Sequence, residues 1–573
     1  MENKITERRF HPAPQWMREK AYILSSGWTL NGQPVNVPYP PESELSGFKG
    51  DVPEQMTYEC KFLCPGAFSG NGVILHFGAV DQVADVIFNG KYLGRHEGGY
   101  LNFSYDITGK IKKWEENHLI VKVTDTLSHE YPYGKQRKHR GGMWYTPVSG
   151  IWQRVWLENV PESYLMRPKM IPDCKGFDIE GLYTSDFENK DVTLSIKIPD
   201  GEEEKTYETV ISTEDRFHRI DMEEVYREMG IEEPLRLWTP DNPYLYDLSF
   251  SCGQDRVDSY IALRKVEVKT VRSRSRICLN EKPVFLQGVL DQGYFPEGIY
   301  VPDSLEEYEK DILRVKDLGF NFIRKHIKVE PEAFYYAADR LGILVMQDMV
   351  NSGPYEYFSE TIFPNLTFKK RPDTLFTHVD RKRKDFFIEH CKETVEQVFN
   401  HPCIVAYTIF NEGWGQFESD RIYELMKGWD ATRIIDSTSG WFAQKKSDVD
   451  SEHIYFHNER LFPKDKRPMI LSECGGFGYP VEGHVWTGVK NAYVYGKAST
   501  PDDVMKMITD MYLSMIIPAI EKGLCGVVYT QITDVEEEVN GLYTYDREVC
   551  KVVPEKMRKL SDKVKQIHDV MCG

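Results

Sequence analysis

From about residue 20 to residue 160, apolar and polar positions alternate in short runs broken by turn residues. Ala84-Asp85-Val86-Ile87-Phe88 runs into Asn89-Gly90 and then Lys91-Tyr92-Leu93; both central positions of a tight hairpin turn need positive φ, so Asn-Gly predicts a hairpin here. Leu119, Val121 and Val123 alternate with polar residues, and Ile151-Trp152-Gln153-Arg154-Val155-Trp156-Leu157 predicts one further strand. The pattern over 1–160 is that of a jelly-roll β-sandwich. Runs such as Val192-Thr193-Leu194-Ser195-Ile196-Lys197-Ile198 and Leu245-Tyr246-Asp247-Leu248-Ser249-Phe250 predict a second, immunoglobulin-like β-sandwich over 161–268, with Trp238-Thr239-Pro240-Asp241-Asn242-Pro243 as a turn. After residue 269 strands alternate with helical periodicity. Strands are predicted at 284–289, 320–325, 343–348, 403–410, 433–438, 452–456, 468–473 and 524–530, and helices at 304–318, 331–341, 381–399, 418–429 and 501–522, with Pro331 and Pro501 at helix starts. Repeated βα units over 269–573 predict a (β/α)8 barrel, a TIM barrel, with its active site at the carboxyl ends of the strands.

Composition narrows the function classes. A chain of 573 residues exceeds one hydrophobic core, and a formal net charge of −18 spread along it lacks the footprint of a nucleic-acid binder. No apolar run is long enough to span a bilayer and no signal-peptide core follows Met1, so the expected location is cytoplasmic, with no membrane partner. The eleven cysteines lack a CxxC pair and sit mostly in apolar runs, which points to reduced core thiols. Asn102-Phe103-Ser104 and Asn365-Leu366-Thr367 are glycosylation sequons that would matter only for a secreted protein.

Two segments carry chemistry. Cys403-Ile404-Val405-Ala406-Tyr407-Thr408-Ile409-Phe410 opens onto Asn411-Glu412-Gly413, and Pro468-Met469-Ile470-Leu471-Ser472 onto Glu473-Cys474-Gly475-Gly476. Each is an apolar strand ending in a glutamate, on the strands predicted as fourth and seventh, so both carboxylates face one barrel mouth. Glycosidic cleavage needs such a pair: one carboxyl protonates the leaving oxygen while the other attacks or stabilises the oxocarbenium-like centre.

On these residues the chain resembles glycoside hydrolase family 2, the β-galactosidase, β-glucuronidase and β-mannosidase group, over nearly its whole length. Asp81-Gln82-Val83-Ala84-Asp85-Val86-Ile87-Phe88-Asn89-Gly90, Gly98-Gly99-Tyr100 and Ser149-Gly150-Ile151-Trp152-Gln153 are similar to the family's sugar-binding-domain signatures. Asn400-His401-Pro402 leading to Asn411-Glu412 resembles the acid/base motif, Ser472-Glu473-Cys474-Gly475-Gly476 the nucleophile motif, and Tyr529-Thr530-Gln531 with Asn540-Gly541-Leu542 the strand-eight segment. The resemblance implies an exo-acting retaining β-glycosidase with Glu473 as nucleophile, Glu412 as acid/base, Asn411 on the sugar 2-hydroxyl and Arg324 keeping the nucleophile ionised. It also offers His326, Lys328, Asp348, Tyr455, Trp441, Trp486 and His401 as substrate-binding candidates, each with a packing alternative. Cys474 beside the nucleophile is read as pocket wall. A glycoside or oligosaccharide is the implied partner and no cofactor is required; a structural divalent cation and self-association both stay compatible.

Two departures bear on the sugar. Glucuronidases carry an Asn-x-Lys that pairs with the sugar carboxylate, where this chain has Glu538-Val539-Asn540-Gly541. Known β-galactosidases place an aspartate before the Met-Trp pair, where Met143-Trp144 here follows Gly141-Gly142. The charged run Arg137-Lys138-His139-Arg140 in that loop either stays solvated or reaches the barrel mouth. A β-galactosidase-like specificity is expected; glucuronidase, mannosidase or α-L-arabinosidase specificity and a non-hydrolytic carbohydrate-binding protein are the alternatives. A metal-dependent barrel hydrolase would need clustered ligands at strand ends in a recognisable motif, which the sequence does not offer.

Overall fold

The computed structural model describes residues 8–64, 68, 72–355, 373, 381–455, 458–486 and 492–572. Among the described residues three hydrophobic cores follow one another along the chain, and a fourth cluster, with Tyr100, Trp152, Tyr300 and Trp414, joins the first sandwich to the barrel.

In the first sandwich, Gln55–Leu63 and Glu116–Thr124 pair antiparallel, with Met56, Tyr58 and Cys60 opposite Val123, Val121 and Leu119 and all six side chains buried. Alternation therefore assigns one face to the core, as the sequence predicts. The hairpin forms where Asn-Gly places it: Phe88 pairs with Lys91, and Asn89 and Gly90 take φ of 49° and 75°. Ile151–Leu157 is not one strand. Gly150–Ile151 and Val155–Val160 are separate because the chain bends to bury Trp152, whose Nε1 donates to the Gly99 carbonyl at 2.7 Å. The second sandwich stacks a five-stranded sheet on a three-stranded one. Its edge strand comes from far away in sequence: Trp16–Met17 pairs with Ser259 and Asp258, and Arg18 bonds Asp255 at 2.8 Å and Glu158 at 3.0 Å. Trp238, fully buried, anchors this sandwich to the barrel by donating to the Asp339 carbonyl at 2.8 Å.

The barrel strands are β1 (Leu286–Asp291), β2 (Phe322–Lys325), β3 (Leu344–Asp348), β4 (Ile404–Asn411), β5 (Ile434–Ser439), β6 (Asp450–Ile454), β7 (Met469–Cys474) and β8 (Leu524–Tyr529). Each coincides with a predicted strand to within two residues. All neighbours are parallel in the order β5-β4-β3-β2-β1-β8-β7-β6, so the ladder closes through β1 and β8 and leaves a seam between β5 and β6. Side chains bridge that seam: Ser439 Oγ of β5 lies 3.4 Å from Ser451 Oγ and 2.9 Å from His453 Nε2 of β6.

The helices Glu306–Asp317, Glu332–Leu341, Arg381–Val398 and Ser419–Trp429 fall where predicted. Glu306, Glu307 and Glu309 start the first of them and Arg314 and Lys316 end it, complementing the helix dipole. Pro331 is an N-cap rather than a helical residue. The stretch 501–522 departs from one continuous helix. Thr500 caps it and Pro501 opens it, but a π-helical turn at Tyr512–Ile516 separates Pro501–Met511 from Ile517–Ile520. Pro518 explains the break, because its ring clashes with the carbonyl four residues back and offers no N–H. The sequence reading missed the last helix, Pro554–Cys572, whose Ser561 accepts from Gln287 Nε2 at 2.8 Å beside β1.

Candidate active site

The carboxyl ends of β2, β3, β4, β6 and β7 converge on one buried constellation. β4 ends in Asn411, and Glu412 then takes a left-handed φ of 54° before Gly413 at 77°. A non-glycine residue in that region is strained, and the surrounding lattice holds it: the Glu412 amide donates to the Ser439 carbonyl at 2.9 Å. Gly413 is required, since a Cβ there would stand 2.1 Å from the Phe442 ring. After β7 the same holds for Gly475, with φ of 82° and Tyr529 2.4 Å from the position of a Cβ.

Arg324, fully buried on β2, organises the floor. Its Nε donates to both Asp348 oxygens at 3.0 Å, Nη1 to Glu473 Oε1 at 3.0 Å and Nη2 to Asn411 Oδ1 at 2.9 Å. One rigid guanidinium fork thus fixes three side chains from three strands. Among the described residues the Asn411 Nδ2 donors have no partner, which leaves them available to a substrate. Tyr455 donates to Glu473 Oε2 and lies 3.1 Å from Thr530 Oγ1 at the end of β8. Burial alone would raise the Glu473 carboxyl, but His453 and the permanent charge of Arg324 outweigh it and hold Glu473 down to about 2. The group is therefore a carboxylate at neutral pH.

His453, which the sequence reading overlooked, stands between the two glutamates. Its Nδ1 lies 2.8 Å from Glu412 Oε1 and 3.5 Å from Glu473 Oε2. A signal was present: side chains two apart on a strand share a face, so the reasoning that turns Tyr455 into the mouth turns His453 there as well. Glu412, His453 and Glu473 offer ligand atoms all within 4.8 Å of one another. As a cation site the trio is poorly suited, because Arg324 already supplies positive charge 3.0 Å from Glu473.

The remaining candidates divide. Trp441 is buried with its ring 6.3 Å from that of His453, so it walls the site. His326 is buried behind it, with Nδ1 2.7 Å from Asp348; burial pushes its ring down to about 4, leaving it neutral at pH 7. Asp348 faces inward instead of into the open mouth. It is buried and its oxygens are taken by Arg324 and His326, so it aims those residues instead. His401 is a correction of a different kind, lying at the amino end of β4, opposite the mouth, with Nδ1 2.7 Å from Asp339. Lys328 is spent on the Gly293 and Tyr300 carbonyls at 2.6 and 2.7 Å. Trp486, half-buried, stacks under Arg140 of the first sandwich at 4.4 Å instead of reaching the glutamates. Cys474 donates to the Val528 carbonyl at 3.4 Å and burial pushes its thiol up, which fits pocket wall. No disulfide joins the described cysteines, and Asn365 lies outside the described residues.

The loop that carries Arg137 to Arg140 belongs to both descriptions given above. Those four side chains are exposed, yet the backbone that follows closes over the mouth. Thr146 N donates to Glu536 at 2.9 Å, Gly142 N to Glu537 at 3.3 Å, and the Tyr145 hydroxyl to Glu538. Among the described residues, no helix is long and apolar enough to cross a membrane.

Comparison with known proteins reaches the same architecture from outside. Residues 50–155 match the glycosyl hydrolase 2 galactose-binding domain-like model, 166–264 the glycosyl hydrolases family 2 model and 268–474 the glycosyl hydrolases family 2 TIM barrel domain. A β-galactosidase of Thermoanaerobacter pseudethanolicus is 23% identical over 445 residues, 74% of this chain and 54% of its own. A putative β-glucuronidase of Formosa agariphila is 25% identical over 348 residues, covering 59% and 37%. The chain thus spans about half or less of these curated relatives. A β-glucuronidase from an uncultured Clostridium superposes with a TM-score of 0.73 at 18% identity, covering 96% of this chain and 99% of that one. An Eisenbergiella tayi GH2 β-galacturonidase gives 0.66 at 18% identity, covering 96% and 97%, and at that identity both likenesses concern the fold. With all three domain models matched in order across most of its length, the chain belongs to glycoside hydrolase family 2.

Proposed function

We propose that the protein is a retaining exo-β-glycosidase in which Glu473 is the nucleophile and Glu412 the acid/base. The observation that carries this reading is the separation: carboxylate oxygens of the two residues lie within 4.8 Å of each other, close enough for one to attack the anomeric carbon directly while the other serves the leaving oxygen. Retaining enzymes hold the pair about 5 Å apart, whereas inverting ones need roughly 6.5–9.5 Å. In the first half-reaction a Glu473 oxygen bonds to the anomeric carbon as that carbon's bond to the leaving oxygen breaks, and Glu412 gives its proton to the departing oxygen. In the second, water attacks the anomeric carbon, the bond to Glu473 breaks, and the water proton returns to Glu412. The ionised state of Glu473 suits attack, and Asn411 is placed to donate to the 2-hydroxyl. No metal is needed for these steps.

The first sandwich supports exo action, since its Gly142–Thr146 backbone bonds residues 536 and 537 beyond β8 and so narrows the approach to the mouth. A neutral sugar of the β-galactoside type fits best, because buried Glu538 would repel a sugar carboxylate. A second reading, a uronide, is favoured by one residue: Lys135, half-buried in the same loop at 5.7 Å from the Trp144 ring, whose charge bears on both Glu538 and His326. Nitrophenyl β-D-galactoside, glucoside, mannoside, glucuronide and galacturonide with α-L-arabinoside test both. Turnover of the galactoside, abolished in Glu473→Gln, supports the first reading, and turnover of a uronide alone, lost in Lys135→Met, replaces it with the second. Sugar binding without turnover of any glycoside would leave a carbohydrate-binding protein.

A further inference from the structure

Among the described residues the ring of His453 has four polar neighbours, and they differ in what they can do. Near Nε2 are Arg324 Nη1 at 3.4 Å and Ser439 Oγ at 2.9 Å; near Nδ1 are only carboxylate oxygens, Glu412 Oε1 at 2.8 Å and Glu473 Oε2 at 3.5 Å. An arginine N–H can only donate and an ionised carboxylate can only accept. Nδ1 faces only these acceptors and therefore carries a proton, assigned from its neighbours. Nδ1–H then donates to Glu412 Oε1, the shorter contact. The other charged and titratable groups around the ring are Asp436 of β5, whose carboxylate feels the His453 charge, and Tyr455 beyond Glu473; Trp441 covers one side. Glu412 itself stands on a strained turn with 13% of its side chain exposed, so its backbone does not by itself fix which oxygen faces the substrate.

We propose that His453 is a positioning residue for the acid/base: by holding Glu412 Oε1 through Nδ1–H it turns Oε2 toward the glycosidic oxygen, so that the transferable proton sits on Oε2. This rests on the roles given above to Glu412 and Glu473. When Glu412 releases its proton to the leaving oxygen, the same Nδ1–H stabilises the carboxylate formed, and no proton moves through the ring. The arrangement also explains why His453 sits at the β5–β6 seam. Anchored by Ser439 across a gap that has no backbone ladder, the ring holds the acid/base on β4 in register with β6.

The test is a pair of amides. The Asn side-chain nitrogen stands where Nδ1 stands in histidine, whereas that of Gln reaches the place of Nε2. His453→Asn and His453→Gln would be assayed by kcat/KM, which reports formation of the glycosyl-enzyme, on an alkyl glycoside and a dinitrophenyl glycoside of the same sugar. Only the alkyl leaving group needs protonation, and general-acid help is worth about 10²–10⁴-fold. The expected result is a loss of about 10²-fold on the alkyl glycoside in His453→Gln, with little loss on the dinitrophenyl glycoside and recovery in His453→Asn. Equal losses on both substrates, or equal losses in both variants, would overturn the proposal and make His453 a packing residue or a support of Glu473. A wild type inactive on both substrates would instead strike the proposed function itself.

Discussion

At each end of β4 a histidine pairs with a carboxylate, and the two pairs are built to opposite ends. At the amino end, His401 and Asp339 lie 2.7 Å apart with neither side chain exposed, and Asp339 also accepts from Cys403 N at 2.8 Å and from the Tyr260 hydroxyl at 2.6 Å. At the carboxyl end, His453 and Glu412 lie 2.8 Å apart, but Glu412 keeps 13% of its side chain exposed, on a left-handed backbone. The first carboxylate is used up by its neighbours. The second is held on one side and left open on the other. A buried polar network whose acceptor is saturated rigidifies, whereas one with an oxygen to spare and strain in its backbone is equipped to act.

Removing the nucleophile is the strongest way to break this contrast. Glu473→Gln should lower kcat by on the order of 10⁴-fold while sugars still bind, measured by steady-state kinetics and calorimetry. Arg324→Met should come next, costing about 3–5 kcal/mol of stability in denaturant melts, because Asp348 and Glu473 would both be left buried and unpaired. Acid sharpens the same point. Glu473 titrates near 2 in the fold against an ordinary value of 4.5, so its contribution is present above 4.5 and is lost as pH falls toward 2. Wild type should therefore lose about 3 kcal/mol more than Glu473→Gln between pH 5 and pH 2, followed by melting temperature. The smallest effect belongs to the amino end: Asp339→Asn should cost about 1–3 kcal/mol of stability and leave kcat unchanged per folded molecule. A changed kcat there would mean that the two ends of β4 are coupled.

Legibility followed the same division. Strands were readable because burial on both faces writes a continuous apolar run, as in Ile404–Phe410, and the two glutamates were readable because each ends such a run. Functions that depend on who stands across the mouth were not. His401 carried both a ligand and a packing reading until the fold put it at the amino end of β4, and Asp348 carried both because its partners, Arg324 of β2 and His326 just beyond it, cannot be read from its own strand. His453 was overlooked for the converse reason, since nothing local to Ser451–Ile454 announces that β4 and β7 bring carboxylates to it. The terminal helix was lost because its apolar face, Met557, Leu560 and Val564, is set in a run of lysines and acids, and the π-turn because Pro518 was not weighed.

Arg18 and its partner strand have a consequence for the order of assembly. A ribosome releases Arg18 well before Asp255, 237 residues later, an interval of roughly ten to fifty seconds at cellular elongation rates. During that time the first sandwich can complete its sheets, while the segment through Trp16 and Met17 waits for an edge that does not yet exist. When residues 255–261 emerge, that segment seals one margin of the five-stranded sheet and ties it, through Glu158, to the first sandwich. The opening residues of the sequence thus serve as its late fastening, and a bulky fusion joined close before Trp16 would obstruct assembly at its end rather than its beginning.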